Sequence, residues 1–194
     1  MRLISTLCDS QAIAMKILRD VPDNSIVLLP ETLTMISKQI IKFSKEKNLF
    51  ISYQSDTIID DKVYVNFRGI DQGEEVWQVK KFNLWHTDKS YYSPGKAEPI
   101  ISIRGHKSGL FICFDAVKIF KMTPILNREK IEYLLIPANW KFNFELIDRI
   151  ADFSLQQIPS LKAVCFSCTN TVAFVKSRRK ERRIKKSGYV ELLV

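Results

Sequence analysis

Three residues of reactive type stand at the ends of apolar, strand-like segments in this chain of 194 residues. Cys113 ends the apolar run that begins at Gly109, Glu31 follows Leu28-Leu29-Pro30, and Lys81 follows the segment that ends at Val79-Lys80. A thiol that attacks an acyl carbon needs a base to take its proton and a positive charge to stabilise the oxyanion. The types of these residues therefore indicate a cysteine-dependent site for acyl chemistry.

The three residues belong to a longer series of short motifs. In order along the chain these are Pro30-Glu31, Tyr64-Val65-Asn66, Lys81-Phe82-Asn83-Leu84, Tyr92-Ser93-Pro94-Gly95, Ile112-Cys113-Phe114-Asp115 and Ile136-Pro137-Ala138-Asn139-Trp140. Each motif is weak alone, but their order and spacing resemble the nitrilase superfamily of carbon–nitrogen hydrolases. The resemblance extends over most of the chain, from about Arg2 to Asn170.

The sequence also departs from the family pattern. Asn83 stands where the family usually has His, and Asp88 stands where a second glutamate usually precedes the Tyr-x-Pro-Gly turn. The stretch from Val117 to Phe120 replaces the usual Arg-Phe-Pro-Glu, and the chain is short for the family, without most of the loop after Pro-Glu or the usual C-terminal elements. We therefore expect an altered shell around the three residues, with either an unusually open active-site mouth or lost activity.

The resemblance implies a mechanism without a metal or an organic cofactor. In it, Glu31 takes the proton of the Cys113 thiol, and Lys81 and the backbone N–H of Phe114 stabilise the oxyanion. The substrate would be a small amide or nitrile, and a thioester would be the intermediate. The resemblance also assigns Asp88 to substrate binding or to holding Lys81, and Asn139 and Trp140 to the pocket lining. Strand alternation allows only one of Lys80 and Lys81 to point inward, and the Lys-x-x-Leu match favours Lys81; Trp140 could equally belong to the core.

Composition limits the class of protein. With 46% hydrophobic and 26% charged residues, the chain is typical of a globular domain, and we expect one domain over residues 1–194. No apolar run approaches the roughly 20 residues of a membrane helix, and no secretory signal is visible, so we expect a cytoplasmic protein. Four cysteines are too few for a disulfide framework, and we interpret Cys165-Phe166-Ser167-Cys168 as a strand rather than as a zinc or redox motif.

The positive charge is concentrated near the C-terminus. Residues 176–186 carry eight basic residues and one acid, so this basic segment accounts for +7 of the net charge of +9. One interpretation is a solvated loop between two final strands at 171–175 and 189–193, and the other is a patch that binds phosphate. Because no aromatic residues are interleaved for base stacking, nucleic-acid binding is allowed but not favoured.

The hydrophobic pattern alternates between helix-like and strand-like segments. Strands are predicted at 2–7, 25–29, 49–53, 99–103, 109–114, 133–136 and 161–167, and a hairpin across Asp71-Gln72-Gly73 is predicted within 62–81. Helices are predicted from a cap at Asp9 or Ser10 to Arg19, over 34–47 and over 143–156.

This arrangement predicts an α/β protein with two sheets packed together and helices outside, and the resemblance implies the same αββα sandwich. The resemblance also implies a homodimer or larger homo-oligomer, formed through outer helices that include residues 143–156. An alternative function is a binding module on a catalytically reduced nitrilase-like scaffold, with the basic segment contacting an acidic partner.

Overall fold

A computed structural model describes residues 2–31, 37–140 and 144–193. Within these ranges the helices are α1 (Gln11–Asp20), α2 (Ser37–Glu46), α3 (Ile119–Arg128) and α4 (Phe144–Gln157). None of these helices is both long and apolar enough to cross a lipid bilayer. The predicted helices over 34–47 and 143–156 correspond to α2 and α4, although residues 34–36 and 143 lie outside the described residues.

The described strands form two sheets that share a single bridge. The first sheet has the order β7 (Glu74–Lys80), β6 (Asn66–Asp71), β3 (Phe50–Gln54), β2 (Ser25–Leu28), β1 (Arg2–Leu7) and β14 (Gly188–Leu193). The second has the order β8 (Ile100–Ile103), β9 (His106–Leu110), β10 (Tyr133–Ala138), β11 (Ala163–Cys168), β12 (Ala173–Ser177) and β13 (Glu181–Ile184). Only the pairing of Leu7 with Cys168 connects β1 to β11. A separate small hairpin consists of β4 (Thr57–Ile59) and β5 (Lys62–Tyr64).

The two faces of the central strands enter different cores, because successive side chains of a strand point to opposite sides. The inner core lies between the sheets and includes Leu3 of β1, Ile26 of β2 and Leu135 of β10. On the outer face of the first sheet, Ile4 and its neighbours pack with α1 and α2. A third core joins the outer face of the second sheet to α3 and α4. These layers confirm the predicted αββα sandwich.

Most of the predicted elements are present within a residue or two of their expected ends, including the hairpin between β6 and β7. The first helix begins after Ser10, whose side chain accepts a hydrogen bond from the N–H of Ile13. The pattern missed α3, because Pro124 in its interior argues against a helix; burial of Ile119 and Leu126 in the outer core holds this helix nevertheless.

Two sequence-based predictions were wrong. The strand predicted over 109–114 ends at Leu110, because the chain turns at Cys113 into a 3₁₀ helix over Cys113–Lys118. The basic segment is not a loop throughout, because Glu181–Ile184 pairs with Ala173–Lys176 as strand β13. Several side chains of the basic segment contact α4. The run of charges in the sequence gave no signal for that packing.

The segment that carries Lys81 is held on both sides by backbone hydrogen bonds. The N–H of Lys81 donates to the carbonyl of Val65 at 2.9 Å, and the N–H of Gly95 donates to the carbonyl of Lys81 at 2.8 Å. A Cβ atom at position 95 would lie 2.3 Å from the Cβ of Lys80, so only glycine permits this close approach. Gly95 therefore closes the Tyr-Ser-Pro-Gly turn directly onto the chain beside Lys81.

The first prediction concerns this contact. We expect Gly95→Ala to lower the free energy of unfolding by about 1–3 kcal/mol, because the added methyl group forces the turn away from the chain at Lys80. Urea denaturation measures the effect, and Lys96→Ala, at the exposed neighbouring position, serves as the control with a change within about 0.5 kcal/mol. Equal stability of Gly95→Ala and the control would contradict the close packing of this turn.

Candidate active site

Glu31 and Lys81 reach the site from the ends of two strands of the first sheet. Glu31 follows β2 after Pro30, and its residue is only 5% exposed. Lys81 comes directly after β7 and is 3% exposed. The ammonium of Lys80 instead lies 4.2 Å from the centre of the Tyr64 ring, beside a groove of about 550 Å³ that includes neither Glu31 nor Cys113. Alternation along the strand thus directs Lys81, and not Lys80, to the buried site.

The buried ammonium of Lys81 is bonded to two carboxylates. Its Nζ lies 2.7 Å from Oε1 of Glu31 and 2.8 Å from Oδ2 of Asp88. Burial by itself would lower the pKa of Lys81, but the negative charge of Glu31 and the hydrogen bonds to Asp88 and Glu31 raise it above its ordinary value. Lys81 is therefore a permanent cation at neutral pH.

Cys113 begins the 3₁₀ helix in a backbone conformation that is uncommon for a residue with a side chain. Its φ angle is +50°, in the left-handed region, where a Cβ atom is unfavourable. Such a sharp turn after an extended segment presents the thiol at the end of the strand instead of burying it in the sheet. Cys113 is accordingly only partly buried, whereas the other three cysteines are buried.

Three charged or polar groups surround the thiol. The charges of Glu31 and Lys81 act on the Cys113 thiol, and the backbone N–H of Asn139 lies beside the sulfur. Burial raises the pKa of Cys113 well above its ordinary value, and the negative charge of Glu31 raises it further, while Lys81 and the Asn139 N–H oppose the shift. The resting cysteine is thus a protonated thiol on which the Glu31 carboxylate acts.

Asp115 ties the cysteine turn to the segment after Lys81. Its carboxylate accepts the N–H groups of Asn83 at 2.6 Å, Phe82 at 3.2 Å and Ile112 at 3.2 Å, and the residue is fully buried. Burial raises the pKa of Asp115 to about 8, although the N–H groups of Asn83 and Ile112 hold it down. The Asn83 side chain adds a bond of 2.8 Å from Nδ2 to the Phe114 carbonyl. Sequence reasoning included Asp115 in a motif but gave it no role.

The remaining predicted site residues occupy different positions. Asp88 holds Lys81 and also accepts the N–H of Trp85 at 3.2 Å. Asn139 contributes its backbone to the sulfur, while its side-chain oxygen accepts a hydrogen bond from Thr169 Oγ1 at 2.6 Å. Trp140 packs against the core between the second sheet and its helices.

Tyr92 is a site neighbour that sequence reasoning left without a role. Its hydroxyl lies 3.5 Å from Oδ2 of Asp56, and burial, Asp56, Asp88 and Glu31 raise its pKa. The signal in the sequence was its place in the Tyr-x-Pro-Gly turn, which packs beside Lys81.

Part of the basic segment serves the fold. Lys176 pairs with Asp148 at 3.2 Å and Asp152 at 2.7 Å, and Arg183 pairs with Asp148 at 3.0 Å. Arg178 donates to backbone carbonyls at the C-terminal end of α4 and just after it, including that of Leu155 at 3.0 Å. Within the described ranges, no ion pair is recorded for the five other basic side chains, which are all exposed: Arg179, Lys180, Arg182, Lys185 and Lys186.

Among the described residues, no group of three or more His, Cys, Asp or Glu side chains is arranged to hold a metal ion. The site around Cys113 contains a thiol, a carboxylate and an ammonium, with Asp88 bonded to the ammonium. These are the groups needed for nucleophilic attack on a carbonyl with base assistance.

Comparison with known proteins concerns the fold of this chain. No family model and no curated protein matches the sequence. An amidase from Nesterenkonia sp. AN1 is 11% identical with a TM-score of 0.80, over 100% of this chain and 93% of that one. Nit3 of Saccharomyces cerevisiae, from branch 10 of the nitrilase superfamily, is 15% identical with a TM-score of 0.78, over 99% of this chain and 89% of that one.

A glutamine-dependent NAD⁺ synthetase from Acinetobacter baumannii gives a TM-score of 0.74 at 13% identity, and the match covers 98% of this chain but 44% of the synthetase. This chain thus corresponds to less than half of that larger enzyme. At such low identities the likeness concerns the fold, and it covers nearly the whole of this chain. The chain has the fold of the nitrilase superfamily of carbon–nitrogen hydrolases.

Proposed function

We propose that this protein hydrolyses a non-peptide carbon–nitrogen bond of a small amide or nitrile, with Cys113 as nucleophile, Glu31 as general base and Lys81 as the cation of the site. The observation that carries the proposal is one buried carboxylate that binds the lysine and acts on the thiol. Glu31 accepts from the Lys81 ammonium at 2.7 Å, and its charge acts on the Cys113 thiol. A purely structural ion pair has no need of a thiol in a strained turn beside it.

The first half of the reaction forms a thioester. As the sulfur of Cys113 bonds to the amide carbon, its proton passes to Glu31, and the carbonyl oxygen becomes an oxyanion. Lys81 and the backbone N–H of Phe114 stabilise that charge. The intermediate then collapses, the carbon–nitrogen bond breaks, and Glu31 returns the proton to the departing amine or ammonia.

The second half releases the acid. Glu31 takes a proton from a water molecule, whose oxygen attacks the thioester carbon, and the carbon–sulfur bond breaks. The thiolate of Cys113 then recovers the proton from Glu31, so the site returns to its starting state. The raised pKa of Cys113 agrees with a thiol that loses its proton to Glu31 during attack. Asp88 holds Lys81 in place through its own hydrogen bond of 2.8 Å.

The alternative function is a binding module for a polyanion. The observation that favours it is the group of five exposed basic side chains without a recorded acidic partner in the described part of the basic segment. Charges on a strand such as β13 also have a plain structural reason, because lysine and arginine on an edge strand oppose pairing with another chain. We therefore rank this function second.

Three expectations from the sequence stay predictions, namely a single domain, a cytoplasmic location and a homo-oligomer.

On the face where assembly is expected, α3 exposes Phe120 and Ile125, and the Phe120 ring lies 4.7 Å from that of Phe153 on α4. Exposed apolar side chains on these outer helices agree with a subunit contact.

The second prediction tests the nucleophile. Cys113→Ala should abolish hydrolysis of an amide panel, measured as ammonia release, while urea denaturation shows a stability close to that of the parent. Cys165→Ala, which removes a buried thiol of the inner core, is the control and should retain turnover. Retained turnover in Cys113→Ala would remove the proposed mechanism, and equal loss of turnover and stability in both variants would make Cys113 a core residue.

The third prediction separates the base from the nucleophile. Because the charge and hydrogen bond of Glu31 raise the pKa of Cys113, Glu31→Gln should lower that pKa while Lys81 remains. Amide hydrolysis should then fall by a factor on the order of 100 or more, because the base is missing. Alkylation of Cys113 at neutral pH should nevertheless be preserved or accelerated.

Acrylamide is a suitable probe, since a glutamate-to-glutamine mutant of the Nesterenkonia amidase carries the product of its Michael addition at the active-site cysteine. Mass spectrometry of Cys113 peptides at several pH values measures the adduct. Alkylation that slows in parallel with hydrolysis, with no downward shift in its pH profile, would contradict the assigned role of Glu31.

The fourth prediction tests the alternative function. We expect only weak binding of a short DNA duplex at physiological salt, measured by fluorescence anisotropy. The reversal variant Lys180→Glu, Arg182→Glu, Lys185→Glu leaves the structural contacts of Lys176, Arg178 and Arg183 intact. Its control, Lys16→Glu, Lys38→Glu, Lys121→Glu, makes the same change of charge at exposed sites elsewhere. Tight binding with a log–log salt slope of about −0.9 per phosphate, lost in the reversal variant alone, would promote the binding module.

A further inference from the structure

Trp85 is a large apolar side chain exposed beside the proposed nucleophile. It follows Leu84, which is buried, yet Trp85 itself is 46% exposed. Its indole ring packs edge-on against Phe114, the residue after Cys113, with 4.7 Å between ring centres and an interplanar angle of 79°. The proposed function gives no role to this ring.

The backbone at Trp85 is fixed relative to the site by contacts on two sides. The Trp85 backbone N–H donates to Asp88 Oδ2 at 3.2 Å, and this same oxygen accepts from Lys81 at 2.8 Å. On the other side, Asn83 joins the segment to the Phe114 carbonyl at 2.8 Å. The backbone of Trp85 is thus connected to both the lysine and the cysteine portions of the site.

Exposing indole surface to water is unfavourable, and burying apolar area contributes roughly 25 cal/mol per Å². A fixed and exposed ring therefore provides a surface that gains free energy when another apolar group covers it. The His86 ring, 4.9 Å from the indole, and the Phe114 ring leave part of that surface uncovered. Its position near Cys113 makes the substrate the nearest candidate to cover it.

We propose that Trp85 and Phe114 form an aromatic wall that selects substrates with an aromatic or other flat apolar acyl group. This inference rests on the proposed function. Glu31 must return a proton to the leaving nitrogen, so the nitrogen side of the substrate faces Glu31. The acyl side is then free to extend over the wall, where an aromatic group packs against the indole. Trp85 is a specificity-determining residue in this arrangement.

The first test compares hydrolysis of phenylacetamide with that of acetamide. Trp85→Ala should lower kcat/KM for phenylacetamide roughly three- to tenfold, as expected for loss of one aromatic contact, and should leave that for acetamide within about twofold. Trp85→Phe should retain most of the preference. Trp77→Phe is the matched control, since Trp77 packs near Phe50 at 5.9 Å on another part of the fold, and it should change neither value.

A second test does not depend on turnover. An aldehyde adds reversibly to a thiol, forming a carbon–sulfur bond while the thiol proton passes to the carbonyl oxygen, and so resembles the tetrahedral intermediate. Phenylacetaldehyde should protect Cys113 from iodoacetamide at roughly three- to tenfold lower concentration than acetaldehyde, and Trp85→Ala should remove this difference.

The two tests distinguish the failure of each proposal. Protection that depends on Trp85, without hydrolysis of any amide, would contradict the proposed hydrolase function and support the aromatic wall. Equal losses on both amides in Trp85→Ala, or protection that is the same for both aldehydes in the parent, would overturn the wall. A change of oligomeric state in Trp85→Ala, without a change in the ratio of the two aldehydes, would assign the ring to a subunit contact and also overturn it.

Discussion

The site depends on the pairing of the buried Lys81 ammonium with two carboxylates. Removing an ammonium from water costs several kcal/mol, and the cost is offset only if well-placed carboxylates surround the charge. Glu31 and Asp88 supply that environment at 2.7 Å and 2.8 Å. Because the Lys81 cation has two anionic partners, Glu31 and Asp88, the three groups together carry an excess of negative charge beside Cys113. The negative charge of Glu31 is one cause of the raised pKa of the Cys113 thiol.

The two-sheet sandwich brings three strand ends together at this site. Glu31 and Lys81 belong to the first sheet, whereas Cys113 follows β9 of the second. Packing of the two inner faces brings these ends together, and Asp115 joins the turn of Cys113 to the segment after Lys81 through buried N–H contacts. Loss of a buried acceptor would leave several N–H groups without partners, which is more costly than the loss of an exposed hydrogen bond. Asp115 is thus as necessary to the geometry as the residues that it positions.

The departures from the family pattern have local consequences. Asn83, in place of the usual histidine, still bonds the Phe114 carbonyl, and Asp88, one methylene shorter than glutamate, still reaches the Lys81 ammonium. The altered shell around Glu31, Lys81 and Cys113 therefore contains shorter side chains that make direct contacts. The fold is shared with amidases and with part of a larger synthetase, and a fold hosts more than one function.

The sequence alone determined the elements and the reactive residues, because periodicity of apolar residues and the order of short motifs are local properties. It indicated the two-sheet sandwich, the choice of Lys81 over Lys80 and the hairpin at Asp71-Gln72-Gly73. It failed at α3, where Pro124 is tolerated because the helix packs on the outer core, and at β13, where pairing with β12 overrides a run of charge. The convergence of Glu31, Lys81 and Cys113, the raised pKa of the thiol and the anchoring of Trp85 depend on contacts between residues distant in the chain. Only the packing of one sheet on the other decides those contacts, since burial and the distance between charges are properties of the folded state.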